Sequence, residues 1–362
     1  MNILAIESSC DETAAAVVED LPAGRQVALK ILSNVVASST AMHEKYGGIV
    51  PEVAAREQLK CIIPTIDEAL QQSKIYDLRS IDAIAVTIGP GLIGSLLVGV
   101  ETAKTMAMAT GKPIIPVNHV LAHMYANMVI PSETRNLSQS PLLSETPRMT
   151  RGDMFPAISL VVSGGHTELF LMTSHKDLKW LGGTLDDAAG EAFDKTARLL
   201  GFGNRGGLAI QEAAAKATKY IGAHLPRPLL HDGSLNFSFS GLKTAILREW
   251  QKQEKPSDMI VNAFAVEVQE AITDVLVKKT LTAAQMHNVK SILLSGGVAA
   301  NTRLREKFLS TIHDLKSTIS FHVPPVNLCT DNAAYIASYA FFRGDPVDWH
   351  TITAMPDLSV EV

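Results

Sequence analysis

His119 and His123 stand four residues apart in Asn118-His119-Val120-Leu121-Ala122-His123. On a helix this spacing puts both imidazoles on one face, close enough to share a metal ion. Pro116 and Asn118 favour a helix start near His119. Far downstream, Asp331 could complete a two-histidine, one-carboxylate set, which suits iron(II) or zinc. Taken alone, the spacing also fits two unrelated surface histidines among the eleven in the chain. The His-Glu-x-x-His protease is excluded, because Val120 and Leu121 stand where that motif keeps its base.

Three further stretches could do chemistry. The first is the acidic turn Glu7-Ser8-Ser9-Cys10-Asp11-Glu12-Thr13. Its three carboxylates repel one another unless they are solvated or matched to a cation or donor. The second is a pair of Ser-Gly-Gly turns, Ser163-Gly164-Gly165 and Ser295-Gly296-Gly297, each after an apolar strand. Glycines there let backbone N–H groups approach phosphate oxygens, and a strand-to-helix junction favours an anion or nucleotide. Hairpin turns and tight strand–helix packing use the same residues. Gly89-Pro90-Gly91 has a similar form and reads as structural. The third stretch is Asp186-Asp187-Ala188-Ala189-Gly190-Glu191-Ala192-Phe193-Asp194-Lys195, where Glu191 and Lys195 fit a helix-face ion pair. Asp194 is placed to reach ribose hydroxyls instead.

The elements that must position these residues follow one pattern twice. Residues 2–6 and 13–19 read as a hairpin, as do 157–162 and 167–173. A third strand follows each, near 28–37 and 178–181. Helices are expected at 51–72, with Ala54, Leu59, Ile62, Ile63, Ile66 and Leu70 near helical spacing, and at 186–200 and 209–220. Buried strands at 81–88 and 291–294 each open into a glycine turn and a helix. Ser257 or Asp258 should cap a long helix carrying Val261, Phe264, Val268, Ile272, Val275 and Leu276 on its apolar side. A last helix at 332–342 should return to the first half. The repeat predicts duplicated α/β domains with a cleft between them. Their expected extents are 1–118 with 332–362, and 119–331. Residues 131–153, rich in Ser, Thr, Pro and Arg, read as a flexible insertion.

At 362 residues and 46% hydrophobic content the chain can bury a full core. A net charge of −5 gives no global attraction to nucleic acid, so such a partner must meet a local patch. Three scattered cysteines, Cys10, Cys61 and Cys329, argue for a reducing compartment. No stretch reads as a membrane span or a signal peptide, so a cytoplasmic protein is expected.

Together the motifs resemble the tRNA adenosine threonylcarbamoyltransferase family, TsaD, formerly labelled glycoproteases. The matching stretches are Ile6 to Thr13, His43 to Glu52, Gly89-Pro90-Gly91-Leu92, Asn118 to His123 and Val162 to Glu168. They continue with Asp186 to Ala197, Asn236-Phe237-Ser238-Phe239-Ser240-Gly241-Leu242-Lys243-Thr244, Ser295 to Asn301 and Cys329 to Asn332. The resemblance implies the duplicated actin-like fold of sugar kinases and heat-shock ATPases. It implies that His119, His123 and Asp331 bind one divalent metal per subunit, iron(II) ahead of zinc(II). It implies that Val161, Val162, Ser163, Gly164, Gly165, Asp194, Gly207 and Asn301 line the nucleotide and threonylcarbamoyl site, with Asp11 and Glu12 near the reacting centre.

The implied reaction moves the threonylcarbamoyl group from threonylcarbamoyl-AMP to N6 of adenosine 37 in tRNAs reading codons that begin with adenine, releasing AMP. The implied partners are tRNA, an inactive paralogue subunit and a small ATPase. Lys195, Arg198, Arg205, Lys243, Arg303 and Arg305 are candidate tRNA contacts, although each fits a solvated helix face as well. The alternatives are a small-molecule kinase of the same fold and a non-catalytic scaffold paralogue. The chain departs from the family at Arg205-Gly206-Gly207-Leu208-Ala209-Ile210-Gln211, where the family's flanking prolines and following acid are absent.

Overall fold

The computed structural model of the chain describes residues 1–20, 29–43, 46, 48–130, 154–203, 206–217, 224–253 and 257–360. The expected insertion at 131–153, Arg205 and the far end of the helix expected at 209–220 lie outside the described residues. In chain order the first elements are β1 (Asn2–Glu7), β2 (Glu12–Asp20), β3 (Leu29–Ser38), α1 (Thr40–His43), α2 (Pro51–Ser73), β4 (Ala83–Gly89), α3 (Ile93–Thr110), β5 (Ile114–Asn118), α4 (His119–Met124) and β6 (Val129–Ile130). Then come β7 (Ala157–Val162), β8 (Thr167–Met172), β9 (Leu178–Gly183), α5 (Ala189–Leu199), α6 (Gly206–Ala215), α7 (Ser240–Gln251), α8 (Asp258–Met286), β10 (Ser291–Ser295), α9 (Thr302–Asp314), β11 (Ser320–His322) and α10 (Ala333–Phe342).

Two units result, Met1–Met154 with Thr330–Val362, and Phe155–Cys329. The first carries a sheet in the order β5-β4-β1-β2-β3-β6, and the second a sheet in the order β11-β10-β7-β8-β9. Five strands of each share one topology: a hairpin, a third antiparallel strand on one side, and parallel strands on the other. The duplicated α/β architecture expected from the repeated pattern is therefore present.

In the first unit every residue from Ile3 to Glu7 is buried, so both faces of β1 are covered. This explains why its apolar run is continuous rather than alternating. Helix α10 is apolar around its whole circumference and nearly all buried. It packs on β1, β2, β4 and β5, as a helix with no polar face must. The boundary expected after Asn118 falls inside this unit, because β5 runs directly into α4 and α4 packs on α10. Helix α2 begins with Pro51 in its first turn and buries Ala54, Ile62, Ile66 and Ala69. Leu59 and Ile63, expected on that apolar side, point outward at 66% and 61% exposure. Helical spacing alone does not say which of two adjacent stripes the core takes.

The second unit is built on α8, whose Phe264, Val268, Ile272, Val275 and Leu276 are buried as the spacing predicts. Phe193, Phe237, Phe239 and Phe308 join the same core. Each such ring contributes about 1.5–3 kcal/mol by leaving water. Ser257 occupies the position before α8, but its side chain makes no capping hydrogen bond. Asp186, expected at the start of a helix, precedes α5 and serves α7 instead. Its carboxylate accepts from the Phe239 N–H at 2.7 Å and the Ser240 N–H at 3.2 Å, with the Ser238 and Ser240 hydroxyls also donating. Among the described residues no helix is long and apolar enough to cross a membrane.

Candidate metal centre

The site in the first unit starts at a helix cap. The Asn118 side-chain oxygen accepts from the N–H groups of Val120 and Leu121 at 3.0 and 3.1 Å, which ends β5 and starts α4 at His119. One turn then brings His119 and His123 together, with ring centroids 4.8 Å apart and planes at 76°. Asp331 arrives from the other end of the chain. Its neighbour Asn332 caps α10 by accepting from the Ala334 N–H at 3.0 Å. Tyr335, one turn into that helix, donates its hydroxyl to Asp331 Oδ1 at 3.3 Å.

The three side chains converge. Asp331 Oδ1 lies 3.7 Å from His119 Nε2 and 3.5 Å from His123 Nε2. One ligand atom from each residue lies within 4.8 Å of the other two. Atoms bound ~2.1 Å from one ion stand roughly 3.0–3.5 Å apart, so the two gaps to Asp331 are near that spacing, while the widest gap of the set, within 4.8 Å, must close by about 1 Å. Two nitrogens and a carboxylate oxygen, held in a buried site, fit a divalent ion.

The acidic turn joins this centre rather than solvent. Glu7 is fully buried. Its Oε1 accepts from the Ser9 N–H at 2.6 Å, its Oε2 accepts from the Thr87 hydroxyl at 2.6 Å, and His119 Nδ1 lies 3.1 Å from the same Oε2. The Asp11 carboxylate accepts from the Thr40 hydroxyl at 3.0 Å. The turn's backbone is clamped by Gln58, which donates to the Cys10 and Glu12 carbonyls at 2.9 and 3.0 Å, and by Ser95, which donates to the Cys10 carbonyl at 2.9 Å. Gly99 permits the close approach of α3, since a Cβ there would meet Ser8 Oγ at 2.3 Å.

The electrostatics follow from burial of like charges. Burial, then Asp331, then Asp11 push the Glu12 carboxyl up to about 9. Burial also raises Asp331, against the pull of His119. For His119, burial acts downward but Glu7 and Asp331 outweigh it and push the imidazole up to about 9. Glu7 is the mirror case: burial acts upward, and His119 with the two donors Thr87 and Ser9 holds it below the usual carboxylate range. The pocket thus favours added positive charge.

The other expected residues lie in the second unit. Parallel pairing of β7 with β10, through Val161 opposite Ser295, sets the two Ser-Gly-Gly turns side by side at the strands' C-terminal ends. Gly296 adopts φ +89°, and a Cβ there would meet the Val162 carbonyl at 2.4 Å. Val161 and Val162 turn their side chains into the core, so Ser163, Gly164 and Gly165 form the open part of this turn. The helix expected directly after Ser295-Gly296-Gly297 begins later. A 3-10 turn, Gly297–Ala300, intervenes, and Asn301 caps α9 by accepting from the Leu304 N–H at 2.9 Å. The Asn301 amide also donates to Gln269 at 3.1 Å.

Asp194 is exposed and lies against Gly206, beside Gly207. Gln211 accepts from the Thr302 N–H at 2.7 Å. Several cations read as tRNA contacts have partners within the chain. Lys195 pairs with Asp187 and Glu191, Arg303 with Glu270, and Arg305 donates to the Ala299 and Pro324 carbonyls. Lys243 is exposed.

Sequence reasoning passed over Glu7 and Tyr335 as individual members of the site. The available signals were a carboxylate closing an apolar strand, and a tyrosine four residues after Asp331 at the head of a helix.

A family model for TsaD, tRNA N6-adenosine threonylcarbamoyltransferase, matches residues 30–338. A tRNA N6-adenosine threonylcarbamoyltransferase of Dehalococcoides mccartyi is 47% identical over 362 residues, spanning 99% of each chain. One from Persephonella marina is 44% identical over 96% of this chain and 93% of its own. One from Listeria innocua is 41% identical over 99% of this chain and 96% of its own. Among solved structures, HypF from T. kodakarensis aligns with a TM-score of 0.55 at 14% identity, over 94% of this chain and 48% of its own. That likeness is one of fold alone.

Proposed function

The chain belongs to the tRNA N6-adenosine threonylcarbamoyltransferase family, and from that premise we infer that it transfers a threonylcarbamoyl group to N6 of adenosine 37 in tRNA. The donor is threonylcarbamoyl-AMP. The bond formed joins N6 to the carbamoyl carbon, the bond broken joins that carbon to the phosphate oxygen, AMP leaves, and N6 loses a proton. An activated donor is needed because the N6 lone pair is delocalised into the ring.

The observation that carries this reading is the convergence of His119, His123 and Asp331. They would hold a divalent ion, iron(II) ahead of zinc given two histidines and one carboxylate. When bound, that ion supplies a fixed positive charge for the threonylcarbamoyl oxygens. Asp11, anchored by Thr40, orients N6 or takes its proton. Glu12 stands in the same acidic pocket near the reacting group, its carboxyl raised by burial and by the neighbouring Asp331 and Asp11 carboxylates. The Ser163 N–H closes the turn by donating to the His166 carbonyl at 2.8 Å, so the phosphate is held by the backbone N–H groups of Gly164 and Gly165, and Asp194 takes the ribose hydroxyls. The Gln211 carbonyl is engaged with Thr302, so any ribose contact from it comes from its amide N–H groups. Asn301 and Gly207 shape the pocket around the adenylate.

The anticodon loop presents its base without melting of a duplex. An inactive paralogue and a small ATPase complete the assembly, and a separate synthase supplies the adenylate. Free Cys10, Cys61 and Cys329 accord with a reducing, cytoplasmic setting.

The test combines the purified chain, its partner proteins, threonylcarbamoyl-AMP and unmodified tRNA. Mass spectrometry of digested tRNA is expected to show threonylcarbamoyladenosine. No product with every component present contradicts the reading.

A further inference from the structure

We propose that Glu7 is a positioning residue for this centre: its carboxylate takes the Nδ1 proton of His119 as a hydrogen bond and so leaves Nε2 as the ligand atom. The inference rests on the reading of His119, His123 and Asp331 as a metal site.

Glu7 ends β1, at the point where β1 and β4 run parallel. Ile6 pairs with Val86, so the next residue on each strand brings Glu7 beside Thr87. The Thr87 hydroxyl and the Ser9 N–H, each 2.6 Å away, fix the carboxylate from two directions. His119 Nδ1 then meets Glu7 Oε2 at 3.1 Å, with Ser9 Oγ at 3.2 Å from the same nitrogen. On the opposite edge of that ring, Nε2 faces Asp331 Oδ1 at 3.7 Å. A neutral imidazole carries one N–H, and the hydrogen bond it makes decides which nitrogen is left to bind metal.

A structural role alone does not account for Glu7. A fully buried carboxylate is costly, and an apolar or amide side chain of similar volume would fill the space more cheaply. The Ser9 N–H on Oε1 and the Thr87 hydroxyl on Oε2 are neutral partners that an amide would also satisfy, its oxygen accepting from Ser9 and its N–H2 donating to the rotated Thr87 hydroxyl. Of the three partners, His119 is the one whose chemistry changes with a full negative charge, which makes Nε2 a more basic ligand.

The full-length chain, stripped of metal, is titrated with zinc in competition with a chromophoric chelator. Wild type is expected to bind one ion and Asp331→Ala to lose that binding. Glu7→Gln is expected to bind about 10–100-fold more weakly. If Asp331→Ala binds as tightly as wild type, the metal reading itself fails. If Asp331→Ala loses the ion while Glu7→Gln keeps wild-type affinity, the role of Glu7 alone is overturned. Should Glu7→Gln fail to fold, nitrogen-15 histidine spectra of the zinc-loaded wild type decide the matter. A retained Nδ1 proton on His119 with zinc on Nε2 supports the proposal, and zinc on Nδ1 overturns it.

Discussion

Each unit gathers ionisable side chains into a cluster, buried in the first unit and half-buried in the second, and the two are neutralised differently. In the second unit Glu267, Glu270 and Asp274 of α8 meet Arg227, Arg303 and Lys307. Every acid there has a permanent cation. In the first unit the ion partners of Glu7 and Asp331 are histidines, whose charge depends on protons. Asp11 and Glu12 add further carboxylates to the same pocket. The first arrangement is complete as folded and braces α8 against α9. The second gains from a cation, as an ion-binding site does. Buried charge as such therefore says little about function, whereas buried charge that the fold leaves unbalanced says a good deal.

The contrast breaks most visibly at His119. His119→Ala should reduce bound metal to near zero and lower the transfer rate by about a thousandfold or more, while the circular dichroism stays that of wild type. Metal analysis and single-turnover kinetics measure both. Wild-type metal content in the variant would place the ion elsewhere. In the second unit the effect moves from metal and rate to stability. Lys307→Met should leave metal and rate unchanged but cost about 1–2 kcal/mol in denaturant unfolding, since this network is only partly screened from solvent.

Acid sharpens the comparison further. The hydrogen bond from Lys279, then that from Ser234, hold the Asp232 carboxyl down at about 2. A depressed carboxylate stabilises the fold above the ordinary carboxylate range and loses that contribution as pH falls toward about 2. The difference in thermal midpoint between wild type and Asp232→Asn should therefore be present at neutral pH and close on acidification. A difference that grows instead would contradict the assignment. The smallest effect belongs to the exposed pair Glu52–Arg56, both at 74% exposure, where Arg56→Ala should move neither midpoint nor metal content.

What could be read in the sequence was what is local. Hairpins announce themselves by alternation and turn residues, so β1–β2 and β7–β8 were legible. The helical face shared by His119 and His123 was legible from spacing, because helix geometry alone determines it. The arrival of Asp331 was not local: its residue type made it a candidate third ligand, but no spacing could show that it reaches the two histidines. Glu7 stayed hidden because its partners, Thr87 and His119, are set by the parallel register of β1 with β4 and by the cap at Asn118. Its place at the end of an apolar strand marked it as inward, but not which side chains it would meet there. Asp186 was misplaced for a related reason, since its true partners at Ser238, Phe239 and Ser240 lie at the start of α7, more than fifty residues on. Leu59 and Ile63 obey helical periodicity and still face outward, because periodicity gives a stripe but not what covers it.

The most direct test of the account is anomalous scattering from a crystal of the chain loaded with iron(II) or zinc, recorded at that metal's absorption edge. The account predicts one strong peak within ~2.3 Å of His119 Nε2, His123 Nε2 and an Asp331 carboxylate oxygen. A metal-loaded crystal with its peak anywhere else, or with the triad still drawn together around no ion at all, would contradict it.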